Sequence, residues 1–312
     1  MSVIDTGGSS EDGILGRSGR RAVLSLGREV VGLQDGEAPG GGANLRLLGQ
    51  QVVDMLKAGY QVVVTHDIRG DGGMADRLRG RSARDGGAAF GMWLAGVQGI
   101  AGYRLQQAIH NQMALAKLTR PVVTVVTLLA VRTVEDSGRA RPRITAEPLR
   151  VVNSRMMRLL AEGGVVVVAA GGGGVPVVPR ADGTLQNVAE MVDHDLVAEC
   201  LASSVGANLL VILTNTPGVR PGHGAPKDGF IRRMSVQEAV CYLEEGAFSA
   251  RGSRQKVLSC IRFIEGGGEA AVITQWSRLS ETLAGRAGTW IVPEGCAKRA
   301  IVNQELGGAC DE

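Results

Sequence analysis

A chain of 312 residues, 44% hydrophobic and 21% charged, can bury a large core, which excludes a mainly disordered polymer. Aromatic residues make up only 3% and the net charge is +3 with no basic run, so a single-stranded nucleic-acid binder built on stacking platforms is excluded. Residues 1–20 lack the apolar stretch of a signal peptide, no later segment is apolar for long enough to span a bilayer, and the five cysteines have no close pair spacing; a soluble, cytoplasmic protein without a disulfide framework or zinc knuckle is expected.

In chain order, buried strands and helices alternate. Residues 1–20 are polar and glycine-rich and read as a flexible tail, and Ala22 to Leu26 is an apolar run that stops at Gly27, as a buried strand would. The glycines at 40–42 end a loop, and Leu45, Leu48, Val52 and Leu56 then follow helical spacing up to a stop at Gly59. Gln61 to Thr65 is the next strand, and a loop rich in Gly, Asp and Arg, Arg69 to Gly87, precedes a helix over Phe90 to Leu118. Val122 to Val131 is expected to be one long buried strand, and the charged segment Glu135 to Pro148 an exposed connection. Val151 to Glu162 has helical spacing, and Val165 to Ala170 is a valine-rich strand broken sharply by Gly171 to Gly174. Asp193 is placed to cap a helix with Leu196, Val197, Cys200 and Leu201 inside, Leu209 to Thr214 is another strand, and Ser235 and Glu238 have capping-box spacing. A helix near Lys256 to Ile264, a strand from Ala270 to Thr274 and a closing strand from Thr289 to Val292 complete the body before a polar tail over 294–312.

Strand runs without an exposed polar face predict an α/β fold, a mostly parallel sheet flanked by helices on both faces. Glycine turns at Gly27, Gly70 to Gly73 and Gly171 to Gly174 follow strands, at the end where such sheets bind ligands. His66 and Asp67 have no third ligand at coordinating spacing, so no metal site is expected, and the five cysteines (Cys200, Cys241, Cys260, Cys296, Cys310) read as buried fillers.

Four stretches carry a resemblance. They are Val62-Val63-Val64-Thr65-His66, Gly102-Tyr103-Arg104-Leu105-Gln106-Gln107-Ala108, Ala170-Gly171-Gly172-Gly173-Gly174-Val175-Pro176-Val177, and Leu213-Thr214 followed by Gly218-Val219, with fainter echoes at Gly246 to Lys256 and Gly285 to Thr289. Over roughly residues 21–293 the chain resembles carbamate kinases, members of the amino-acid-kinase family, which move a phosphoryl group between ATP and carbamate. The resemblance implies an amino-acid-kinase fold, with a substrate lobe over about 21–205 and a nucleotide lobe over about 206–293. It implies ATP with Mg²⁺, a small acidic substrate, Lys256 on a phosphate-contacting lysine, Asp195 orienting the catalytic lysine, and Thr214, Gly218 and Val219 bordering the nucleotide. It also implies a homodimer with the helix around Tyr103 to Ala108 near the interface. Phosphoryl transfer needs cations and bare N–H groups around the phosphate oxygens, which Gly27, Gly171, Gly172 and Gly173 are placed to supply.

The chain departs from that pattern at Gly27-Arg28-Glu29 in the first loop and at Asp67-Ile68-Arg69-Gly70-Asp71 after His66. Asp193-His194-Asp195 puts a titratable imidazole where the family has a lysine, and Asn215 and Pro217 stand where it has aspartates. Only a short segment between Val131 and Val151 occupies the place of the family's protruding lid subdomain, so a fold without that lid is expected. Two readings stay open at each candidate. Lys256 is a phosphate-binding lysine or a solvated helix-end lysine, Asp195 an orienting carboxylate or a helix-start charge, His194 a phosphate-facing group or an exposed first-turn residue, and Arg28 a replacement cation or a partner of Glu29. Two functions follow: a phosphotransferase from ATP to a small carboxylate or carbamate-like acid, or a catalytically silent relative acting as a nucleotide-binding regulatory or structural subunit.

Overall fold

Apolar runs without polar alternation become strands buried on both faces. The computed structural model describes residues 19–27, 41–68, 86–136, 143–221, 229–248 and 253–294; Arg28, Glu29, the Gly70 to Gly73 turn, Cys296 and Cys310 lie outside these, as do most of both tails. The first half contains β1 (Arg21–Leu26), α1 (Gly41–Lys57), β2 (Gln61–His66), α2 (Gly87–Leu115), β3 (Val122–Val125), β4 (Leu128–Asp136), β5 (Arg143–Val151) and α3 (Ser154–Glu162). The second contains β6 (Val166–Ala169), β7 (Val175–Pro179), β8 (Leu185–Asn187), α4 (His194–Val205), β9 (Leu209–Thr214), β10 (Arg233–Ser235), α5 (Val236–Glu244), α6 (Ser253–Glu265), β11 (Ala270–Gln275), α7 (Leu279–Leu283) and β12 (Thr289–Val292).

Eight strands form one sheet in the order β10-β12-β11-β9-β1-β2-β6-β3. From β11 to β3 every neighbouring pair is parallel, whereas β12 turns back against β11 and β10 runs parallel to β12. Period-two alternation sorts the side chains between two covered faces. Ala22, Leu24, Val62 and Val64 pack with Leu48 and Val52 of α1 and Leu105 and Ile109 of α2. Val23, Val63, Leu210 and Ile212 pack with Met157 of α3, Leu201 of α4 and Phe263 of α6. The α/β architecture, with helices on both faces, is therefore as expected. Asp193 caps α4, its carboxylate accepting from the N–H groups of Asp195 and Leu196, and Ser235 with Glu238 closes a full capping box on α5. No helix among the described residues is long and apolar enough to cross a membrane.

Two expectations fail between residues 122 and 148. The run Val122 to Val131 is two strands in two sheets: β3 ends the large sheet beside β6, whereas β4 belongs to a second sheet ordered β5-β4-β7-β8. The break is at Thr127, whose N–H donates to Gln98 Oε1 at 2.9 Å and whose carbonyl accepts from Gln98 Nε2 at 3.4 Å. A helix side chain takes the Thr127 N–H there, while the Thr127 carbonyl also accepts from the Val175 N–H of β7 at 2.8 Å, and continuous hydrophobicity cannot reveal that. The segment read as an exposed connection forms the arms of an antiparallel hairpin, β4 with β5, in which Pro148 sits opposite Val131 beside a bulge. Charged exposed side chains masked the alternation that leaves Ala146 buried. A smaller correction concerns the glycines at 40–42, since α1 already begins at Gly41.

The Gly102 motif has a packing cause. A Cβ on Gly102 would lie 2.2 Å from Thr124 Cγ2 of β3, and Thr124 Oγ1 donates to Gln106 Oε1 at 3.0 Å, so the glycine lets α2 lie directly on the sheet. Gly102→Ala is expected to lower stability by about 1–3 kcal/mol, with Thr124→Ala in the same chain recovering part of that, measured by denaturant unfolding. Equal stability of Gly102→Ala and the parent would refute the close packing.

Candidate active site

Parallel strands deliver their C-terminal ends to one rim, and the helices that lead into β9 and β11 must begin there. Leu26 of β1, His66 of β2, Ala169 of β6 and Thr214 of β9 all end at this rim. α4 and α6 therefore present their first turns to it, one carrying His194 and Asp195, the other Lys256.

Lys256 Nζ lies 3.0 Å from Asp195 Oδ1 and 2.9 Å from Oδ2, so the carboxylate holds the ammonium with both oxygens. Asp195 is buried while Lys256 keeps about a quarter of its side chain exposed, the geometry of a cation anchored from below and open from above. The solvated-lysine reading does not describe this residue. Cys260 is buried beside the pair, and burial together with Asp195 pushes its thiol pKa well up, leaving it protonated and inert. Cys200 is also buried, but Cys241 is exposed, so the buried-filler expectation fails at that position.

His194 is 2% exposed, against the expectation of an exposed first-turn residue, and its Nε2 lies 3.1 Å from Ser25 Oγ on β1. Sequence spacing misses this because the N-terminal turn of α4 is pressed onto β1. His66, which the sequence offers with Asp67 as a metal ligand lacking a third partner, is 1% exposed. Burial first, and then His194, lower its pKa from 6.5 to about 3, against an opposing effect of Asp67, so its imidazole is neutral. Its Nδ1 is buried with no hydrogen-bond partner among the described residues.

The glycine run leaves β6 through Ala170, which adopts a left-handed φ of 53°. Thr65 Oγ1 donates to the Ala170 carbonyl at 3.1 Å, and the Ala170 N–H donates to Thr127 Oγ1 at 2.9 Å, so two threonines hold this unfavourable conformation. Gly171 is glycine for a different reason: a Cβ there would lie 2.1 Å from His66 Nε2. Gly172 and Gly173 have φ of 65° and 90°.

The amides expected to bind phosphate are not equivalent. Gly27 N–H already donates to the Leu213 carbonyl at 3.0 Å, and Gly173 N–H to that of Ala170 at 3.2 Å, so what these two glycines offer is a bare Cα. The N–H groups of Gly171 and Gly172 have no partner among the described residues. In the turn after β9, a Cβ at Gly218 would come within 2.6 Å of Thr289 Oγ1, which accepts the Val219 N–H at 2.8 Å. Val219 is buried and its carbonyl is taken by Ile231, so it anchors the turn, while Thr214 is half-buried at the strand end. Arg28 lies outside the described residues. Among the rest, the structure brings Lys256, Asp195 and His194 to the same rim as Gly27 and Gly171 to Gly173.

Known proteins agree with this architecture. A family model described as the amino acid kinase family matches residues 20–275. The carbamate kinase of Pyrococcus furiosus is 32% identical over 314 residues, covering 88% of this chain and 100% of that one. The carbamate kinase-like protein YqeA of Escherichia coli is 26% identical over 87% of this chain and 99% of its own length. A carbamate kinase from Giardia lamblia, solved bound to AMP-PNP, superposes with a TM-score of 0.76 over 89% of this chain and 99% of that one, at 23% identity.

A neutral buried imidazole carries a pH signature. The unfolded chain protonates His66 near pH 6.5, whereas the folded chain resists down to about 3. Between those values the unfolded state holds more protons, so stability increases with pH and is lost on acidification. Denaturant titrations of His66→Gln and the parent between pH 7 and pH 4 are expected to show the variant losing roughly 1–3 kcal/mol less over that interval. Parallel stability curves would show that His66 is not held neutral.

Proposed function

The chain belongs to the amino acid kinase family, and from that premise we propose that it moves a phosphoryl group between ATP and a small acid bearing a carboxylate or carbamate group. Carbamate kinase homologues support a phosphotransferase of this family; the acceptor class is our reading of the site. The observation that carries it is the ammonium of Lys256, gripped by both oxygens of Asp195 on the rim that also carries the open N–H groups of Gly171 and Gly172. Phosphoryl transfer asks little of covalent catalysis and much of positioned positive charge, and this rim has that character.

In this reading Lys256 supplies a permanent cation, Asp195 keeps it aimed, and His194 stands at the head of α4 as a second, titratable one. Gly171 and Gly172 donate to phosphate oxygens while Gly27 and Gly173 allow close approach. Arg28 is assigned a supporting charge from the sequence pattern alone. Thr214 and Gly218 border the nucleotide, with Val219 holding their turn. Asp195 is occupied by Lys256 and the glycine run offers N–H donors, a set suited to phosphate oxygens rather than to a bare cation, so Mg²⁺ would be carried on the nucleotide. We assign residues 21–205 to the acceptor half and 206–293 to the nucleotide half, joined where β9 pairs with β1 in one sheet. Shielding of the acceptor would fall to the small sheet, whose β7 leaves the glycine run directly, rather than to an inserted lid.

A coupled ADP-release assay over a panel of small carboxylates and carbamate is expected to show turnover that falls about a hundredfold or more in Lys256→Ala. Turnover no higher than that of Lys256→Ala would refute the catalytic reading, and calorimetric binding of ATP without turnover would favour the regulatory one.

A homodimer is the second element of the proposal. Met92 (72% exposed), Ile100 (49%) and Tyr103 (61%) lie along one outer stripe of α2, and Gly96 and Gly99 beside them have open space above. Light scattering is expected to give twice the chain mass for the parent and a monomer for Ile100→Asp with Tyr103→Glu; an unchanged mass would place the interface elsewhere.

A further inference from the structure

Aromatic residues are scarce in this chain, and three of its four phenylalanines, Phe90, Phe248 and Phe263, fill the core. The fourth, Phe230, is only half-buried and stands at the C-terminal rim of the large sheet. β12 runs back from the end of β11, so Thr289 at its start belongs to that rim. There Thr289 Oγ1 accepts the Val219 N–H and donates to the Ile231 carbonyl, tying the turn after β9 to the segment that enters β10. Arg220 and Phe230 flank this tie, and the guanidinium carbon of Arg220 lies 4.2 Å from the centre of the Phe230 ring.

The stack is not needed to close the turn. The Ile231 N–H already donates to the Val219 carbonyl at 2.9 Å, and Thr289 binds both residues. Nor is this guanidinium employed as its neighbours are: Arg232 donates to the Arg286 carbonyl at 2.7 Å and Arg278 is paired with Glu281. Arg220 meets neither a carbonyl nor a carboxylate among the described residues; its one contact there is the ring. An exposed cation–π contact is a weak fastening for so long a side chain. A planar cation laid flat on an aromatic ring, its charge unpaired and itself exposed, is a surface on which a second π system can stack.

We propose that Arg220 and Phe230 form the platform for the nucleobase of the phosphoryl donor, the guanidinium taking the base on one face while the ring of Phe230 holds the other. This deepens the phosphotransferase reading and rests on it. Arg220 directly follows the turn of Thr214, Gly218 and Val219 that borders the nucleotide in that reading. The strand order sets the span: β1, whose end carries Gly27, and β12, whose start carries Thr289, are separated by β11 and β9. Three strand spacings are about 14 Å, within the reach of an extended nucleoside triphosphate. The phosphates then lie among Lys256, Gly171 and Gly172, and the base reaches the β12 side of the rim. Stacking uses the face of a base and not its charge, so the pair contributes to nucleotide affinity without contributing to the grip on phosphate.

The test is isothermal titration of the full chain with AMP-PNP and, separately, with inorganic tripolyphosphate, both with Mg²⁺. Arg220→Lys keeps the charge and loses the flat face, so it is expected to weaken AMP-PNP binding roughly fivefold to a hundredfold and to leave tripolyphosphate affinity unchanged. Phe230→Leu removes the supporting ring and is expected to act in the same direction. Equal weakening of both ligands in Arg220→Lys makes Arg220 a phosphate contact, and unchanged AMP-PNP affinity in either variant makes the pair a fastening of the turn; each overturns the proposal and leaves the phosphotransferase reading standing. No AMP-PNP binding by the parent overturns both. Should a variant not fold, the Nε–H resonance of Arg220 in ¹⁵N-arginine-labelled parent decides the matter: displacement by AMP-PNP and not by tripolyphosphate supports the platform, and the same response to both ligands overturns it.

Discussion

One ion pair organises the C-terminal rim of the large sheet: the ammonium of Lys256 held 2.9–3.0 Å from both oxygens of Asp195. Its partners come from the first turns of two helices that start at the same edge only because both lead into parallel strands of one sheet. Burial of the carboxylate strengthens the interaction, and partial exposure of the lysine leaves the cation available. Remove either helix start and the charge has no fixed position. The sheet is thus the device that turns two residues 61 apart in sequence into one unit.

Glycine does different work at each motif. At Gly102 and Gly218 it makes room for Thr124 and Thr289, at Gly171 it makes room for the ring of His66, and at Gly172 and Gly173 it permits a left-handed backbone. Ala170 pays for the same handedness with strain that Thr65 and Thr127 restrain. Only two of the four amides expected to bind phosphate remain open among the described residues, fewer than a run of glycines implies. The imidazole of His66, packed against that run, gives the site a polar but uncharged wall.

Secondary sheet structure explains the main misreadings. The hairpin of β4 and β5 has one exposed face, and its charged residues resemble those of a loop when pairing is not seen. The division at Thr127 involves Gln98, a residue 29 positions earlier whose side-chain amide takes the Thr127 N–H, and Val175 of β7, whose N–H bonds the Thr127 carbonyl. His194 escaped in a similar way: the first turn of an exposed helix and of a helix pressed on β1 look alike in sequence, and only the second buries an imidazole against Ser25.

What the sequence by itself determined was whatever is local or periodic: the unbroken valine-rich strands, the helix stripes, the caps at Asp193 and Ser235, and the doubly covered parallel sheet that follows from them. Through the family resemblance it also singled out Lys256 and His194 as basic residues suited to phosphate, and Asp195 as a carboxylate placed to orient a lysine. The tertiary structure decided which of these meet and in what state. Pairing of Lys256 with Asp195, burial of His66 and His194, and occupation of the Gly27 and Gly173 amides all depend on contacts between distant segments. Charge state and hydrogen-bond capacity are set by surroundings in three dimensions, and a linear string of residues does not carry them.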